Sequence, residues 1–228
     1  MYSHSLRVMT HRPQGHFIVF EGIDGSGKTY QLHRTAQYLH QRGITDLHLT
    51  EEPTDNPIGK LIREQYLSKN THADAHTLAY LFAADRMDHI VHPIYGMKKL
   101  KAEGKTILCS RYVFSSLAYQ SATLPMEWIY ELNTPMLELF PPDLVIFFRI
   151  DPHIALTRLQ QRATQREVFE DRTFIEQLHE RYERAIALYA SRYPLAIIDA
   201  AQSVDEVHQQ VVNAVEELLF HEETNKCK

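Results

Sequence analysis

The chain has 228 residues, 44% hydrophobic and 23% charged, a composition that excludes a disordered chain and suits one α/β domain with a sizeable core. A formal net charge of -5 without a concentrated basic stripe argues against a nucleic-acid polymer as partner and favours small anions, which need only a few converging cations. Two cysteines rule out a disulfide framework, no apolar run is long enough to span a bilayer, and the first residues lack a secretory apolar core, so no membrane role and a cytoplasmic setting are expected.

Residues 1–15 read as a loose extension, 16–220 as one domain and 221–228 as a tail. His16 to Glu21 is a short apolar strand, as at the centre of a parallel sheet covered on both faces. It runs into Gly22, Ile23, Asp24, Gly25, Ser26, Gly27, Lys28 and Thr29, which match G-x-x-x-x-G-K-[ST] and stand between a strand and a helix. Glycines without Cβ atoms let successive backbone N–H groups curl around phosphate oxygens, while the next helix points its positive end at the same place. Lys28 then reaches the phosphates, and the Thr29 hydroxyl is the expected ligand of Mg²⁺.

The helix runs to about Gln41 and stops at Gly43; Leu47 to Thr50 is a second strand, ending at Glu51, Glu52 and Pro53. Pro57 opens a helix through Leu67 that carries Arg63, and a helical pattern follows from Asp74 to Leu100 with a kink or break expected at Pro93. Thr106 to Cys109 is the third strand, followed by Ser110, Arg111 and Tyr112, then helices over Val113 to Gln120 and Met126 to Phe140. Leu144 to Ile150 is a fourth strand, and the helix from Pro152 to Gln161 gives way to the charged segment RATQREVFEDR. A helix over Phe174 to Tyr193, a fifth strand over Leu195 to Ile198 and a helix over Val204 to Phe220 complete the chain. Such alternation implies a parallel sheet wound on both faces, with ligands beyond the carboxyl ends of the strands.

Several residues can be read by chemistry alone. Phe82 and Arg86, at i and i+4, put an aromatic plate beside a cation, suited to stacking a base and forking onto a phosphate; the other reading is a core Phe beside a surface Arg. Arg111 follows a strand end, where a buried guanidinium needs an anion. Arg158, Arg162 and Arg166 recur every four residues, either as a solvated face or as cations that a closing segment brings to a transferring phosphoryl group. The 14 histidines show no convincing metal spacing and read as solvated.

The stretches FEGIDGSGKT, EEPTDNPIGKLIRE, LFAADR, SRYVFSSLAYQ, PPDLVIFFRIDP and IDAAQSVDEV resemble thymidylate kinases, the P-loop kinases that phosphorylate dTMP with ATP, and the likeness covers about His16 to Phe220. The resemblance implies a P-loop NTPase-type three-layer α/β sandwich: a five-stranded parallel sheet, helices on both faces, a short lid over about 158–172, and usually a homodimer. It implies an ATP site of Gly22 to Thr29 with Tyr30, Arg158 and Ala200. It places dTMP among Glu52, Pro53, Arg63, Phe82, Arg86, Arg111, Ser116, Tyr119 and Gln120. Catalysis falls to Lys28, Arg111, Arg162, Arg166 and Asp24; Asp24 is otherwise a turn former, and Arg63 a solvated arginine.

Three positions depart from the family pattern. Ser110 stands where relatives have an aspartate before Arg-Tyr, Glu51 where they often have arginine, and Tyr30 where a small hydroxyl is usual. No basic residue occupies Gly25 or Ser26, which shifts the expected catalytic charge to Arg162 and Arg166. The expected function is γ-phosphoryl transfer from ATP to dTMP; the alternatives are altered acceptor choice or a catalytically weakened nucleotide-binding protein, with Ser110 the residue that favours them.

Overall fold

The structure is a computed structural model that describes residues 15–67, 74–162 and 172–225. Strand β1 (Phe17–Glu21) is buried along its whole length because it lies at the centre of a five-stranded parallel sheet. Its neighbours are β3 (Thr106–Ser110) and β4 (Leu144–Arg149); β2 (Leu47–Glu51) and β5 (Leu195–Asp199) form the edges, giving the order β2-β3-β1-β4-β5. The edge strands alternate partly buried and exposed residues, whereas the three inner ones are nearly continuous apolar runs covered on both faces.

Helix α1 (Lys28–Gln41) packs with α9 (Val204–Asn225) in one layer. The opposite layer contains α3 (Ala75–Val91), α5 (Val113–Gln120), α6 (Met126–Leu139) and α8 (Arg172–Tyr189), and α7 (Pro152–Arg162) packs against α8. The chain turns to one side of β1 for β2 and β3 and to the other for β4 and β5, which opens a crevice at the carboxyl end of β1.

Two expected helices are interrupted. The pattern from Pro57 gives α2 (Pro57–Leu61) and then a π-helical turn over Ile62–Tyr66. Gly59 is required there, since a Cβ would lie 1.9 Å from the Thr54 carbonyl oxygen, and the wide turn brings Arg63 back to donate to the carbonyls of Pro53 and Thr54 and to Asp55. The pattern from Asp74 divides at His92 and Gly96 into α3 and α4 (Met97–Ala102), around Pro93, which has no N–H to continue the helix. Asp74 caps α3 by accepting from the Thr77 N–H at 3.0 Å.

Candidate functional site

The loop after β1 folds under tight steric limits. Gly25 has φ 81°, and a Cβ on it would lie 2.4 Å from the carbonyl oxygen of Ala155 in α7. The charge missing from this position is therefore a steric matter: α7 leaves no room for a side chain. Ser26 is buried with its hydroxyl unpartnered, a polar group facing no protein acceptor in a loop whose N–H groups suit anions.

Asp24 is the hub of the site. It accepts from Lys28 Nζ at 2.9 Å and from Tyr119 Oη at 2.9 Å, and it pairs with the Arg111 guanidinium, which also lies 4.9 Å from the Tyr119 ring centroid. Burial would raise the Asp24 pKa, but Arg111 and Lys28 outweigh it and hold the carboxyl well below the usual range. Lys28, only 5% exposed, is shifted down by burial and by Arg111, with Asp24 opposing. Arg111 reaches this position from a left-handed backbone at φ 69°, which is uncommon for a residue with a Cβ and marks a turn fixed by its surroundings.

Beside the hub lies a cavity of about 410 Å³ lined by Glu52, Pro53, Phe82, Arg86, Arg111, Ser116, Tyr119 and Gln120 among others. Eight of the nine expected acceptor residues thus line one cavity; Arg63 does not, being engaged with the 53–55 loop. Arg86 is 1% exposed and fully engaged: Nε donates to Glu52 at 2.8 Å, one amino group to Ser116 at 3.0 Å, and the other to Asn133. His89 continues the chain of contacts, with Nδ1 3.2 Å from Glu52 and Nε2 2.8 Å from Thr50 Oγ1. The Gln120 side-chain oxygen is buried and unpartnered.

Glu21, at the end of β1, accepts from the Tyr112 N–H at 2.7 Å, the Ser115 N–H at 3.1 Å and the Ser115 hydroxyl at 2.6 Å. It caps α5 from another element, and burial pushes its pKa up against those hydrogen bonds. Glu21 lies within the stretch FEGIDGSGKT but has no role assigned to it there, and His89 and Asn133 belong to no motif; their sequence signal is an acid closing an apolar strand and polar residues on otherwise apolar helix faces.

On the donor side, Arg158 donates to the Ala200 carbonyl at 2.9 Å, joining α7 to the loop after β5, while Tyr30 is 53% exposed beside the phosphate loop. Arg166 and the side chain of Arg162 lie outside the described residues. A second cavity, of about 510 Å³, is lined by Thr29, Glu51 and Ser110 together with residues of α1, β2 and α3. Among the described residues no cluster of His, Cys, Asp and Glu is arranged to hold a metal by itself, and no helix is long and apolar enough to cross a membrane.

Comparison with known proteins adds a family to this geometry. The family model described as thymidylate kinase matches residues 20–211. The thymidylate kinase of Geobacillus sp. (strain WCH70) is 38% identical over 208 residues, covering 89% of this chain and 96% of the relative. That of Pediococcus pentosaceus is 35% identical over 212 residues, covering 90% and 99%, and that of Geobacillus thermodenitrificans is 34% identical over 207 residues, covering 88% and 89%.

Proposed function

Because this chain belongs to the thymidylate kinase family, we propose that it transfers the γ-phosphoryl group of ATP to the phosphate of dTMP, giving ADP and dTDP. The observation that carries the reading is the Asp24 hub, where Lys28 of the donor loop meets Arg111 and Tyr119 of the acceptor cavity. The bond from the γ-phosphorus to its bridging oxygen breaks as one to an acceptor phosphate oxygen forms. That oxygen is already a nucleophile, so positioning and positive charge do most of the work.

Lys28 and the N–H groups of the loop bind the donor phosphates, and Arg111 reaches the acceptor phosphate and the group in flight. Phe82 offers a ring to the base. Arg86 is already paired with Glu52, which leaves its guanidinium better suited to a neutral base edge than to the phosphate expected of it from sequence. The unpartnered Gln120 oxygen supports the same placement, since a thymine ring carries an N–H that it can accept. Arg158 and Ala200 border the adenine, and Arg162 and Arg166 are assigned to a lid over 158–172. Thr29 and the oxygen groups around it suit a hard cation and would hold Mg²⁺ brought with the nucleotide, which would supply positive charge there.

A homodimer through α3 is part of the proposal. Tyr80 (56% exposed), Ala84, Met87 and Val91 fall on one side of that helix, an apolar stripe suited to a second copy. The buried free thiol of Cys109 fits a reducing cytoplasm. An ADP-release assay with dTMP, dUMP, dGMP, dAMP, dCMP and UMP tests the activity: dTMP should give the highest kcat/KM, and a better acceptor would overturn the substrate assignment. Light scattering on the eluting protein should give twice the chain mass, and a monomer at assay concentration would remove the dimer.

A further inference from the structure

Six carboxylates gather around the carboxyl ends of β1, β2 and β3, and five have partners. Glu21 caps α5, Asp24 holds Lys28 and Arg111, Glu52 holds Arg86, Asp55 pairs with Arg63, and Asp85 accepts from the N–H and hydroxyl of Thr54 at 2.8 and 2.6 Å. Glu51 is the sixth, and it makes no side-chain hydrogen bond or ion pair among the described residues.

Its position is specific. Glu51 is the last residue of β2 and lies in register with Ser110, the last residue of β3, so both side chains leave the same face of the sheet. Thr29, at the start of α1, lines the same cavity of about 510 Å³. One free carboxylate and two hydroxyls therefore surround the side of the phosphate loop where a nucleotide brings its cation. A small divalent cation keeps several of its waters, and those waters need acceptors. Ser110 offers a hydroxyl without charge, and Asp24 already gives one oxygen to Lys28 and Arg111 and the other to Tyr119.

We infer that Glu51 supplies the carboxylate that holds the hydration shell of the nucleotide-borne divalent cation, standing beside the Thr29 and Ser110 hydroxyls. The inference rests on the kinase reading above. It makes Glu51 a positioning residue: the negative charge that Ser110 lacks is provided one strand further out in the sheet.

Mn²⁺ provides the probe, because its free form is counted directly by electron paramagnetic resonance. The full chain with saturating ADP is titrated with Mn²⁺ as wild type, Glu51→Gln, Ser110→Asp and the double variant, and ADP affinity without metal is measured by fluorescence. Mn²⁺ affinity in the Glu51→Gln complex should fall about tenfold, the scale on which outer-shell partners act, with metal-free ADP affinity unchanged. Ser110→Asp in the Glu51→Gln background should recover most of the loss. Equal Mn²⁺ affinity in wild type and Glu51→Gln overturns the inference alone, and so does a loss that Ser110→Asp cannot recover. A wild-type complex that binds ADP yet adds nothing to Mn²⁺ binding by free ADP also overturns the inference alone, whereas a chain that binds no ADP at all would overturn the kinase reading together with it.

Discussion

Arg111 shows how one side chain can serve both halves of the site. Its left-handed backbone turns the guanidinium from the end of β3 onto Asp24 and over Tyr119, where its planar fork can face an anion from two directions. Lysine would keep the charge and lose the fork, so Arg111→Lys should lower kcat by about 10²–10³-fold with little change in unfolding midpoint; near-normal turnover would remove Arg111 from the reacting centre. Asp24 gives a pH prediction. Its folded pKa lies below the unfolded value of about 3.9, so its contribution to stability is present above that value and is lost as pH falls toward the folded pKa. Asp24→Asn should therefore be less stable than wild type near neutrality, and the gap between the urea midpoints should begin to narrow only below about pH 4 and close as pH approaches the folded pKa. A gap that stays constant with pH would contradict the ion-pair account. At this scale the sequence revealed the residue types but not their partners: Lys28 and Arg111 were evident as cations, yet their shared carboxylate depends on a contact 87 positions apart in sequence.

Helix α5 carries Ser116, Tyr119 and Gln120, and its first turn is fixed by Glu21 from β1. Removing that carboxylate leaves buried N–H donors without an acceptor, so Glu21→Ala should cost about 3 kcal/mol and raise KM for dTMP as α5 shifts. Calorimetry together with kinetics checks this; an unchanged melting temperature would show that water replaces the cap. The contact of Gly25 with α7 makes the loop and that helix one packed unit. Gly25→Ala should abolish ADP binding in titration calorimetry while the fold persists, whereas retained binding would mean that α7 can retreat.

Periodicity was enough to place α1 and α5, whose apolar faces repeat without interruption. It could not reveal the π turn at Ile62–Tyr66, because a one-residue widening leaves the apolar spacing nearly intact and is set by Arg63 and Thr54 across the loop. The contacts of Arg63 are hidden for the same reason: apart from Asp55 they are with backbone carbonyls, which leave no trace in residue type.

On the scale of the whole molecule, the sheet order brings residues from the first, second and third strand ends to one place. The five strand-end stretches were legible from the alternation of strands and helices. Which of them share a cavity was not, because that depends on β3 lying between β1 and β2. The buried line Arg86–Glu52–His89–Thr50 runs from the acceptor cavity to β2 at the edge of the sheet, so the cavity wall and the sheet edge are parts of one polar network.

Asp24 ties Lys28 of the donor loop and Arg111 and Tyr119 of the acceptor cavity to a single carboxylate. A phosphate arriving at Arg111 competes with Asp24 for that cation and so changes the environment of Lys28. Each nucleotide then alters the affinity of the other, and thermodynamic reciprocity requires the same factor in both directions. Titrating ADP with and without dTMP, and dTMP with and without ADP, should give two equal ratios that differ from one, and that move toward one in Asp24→Asn.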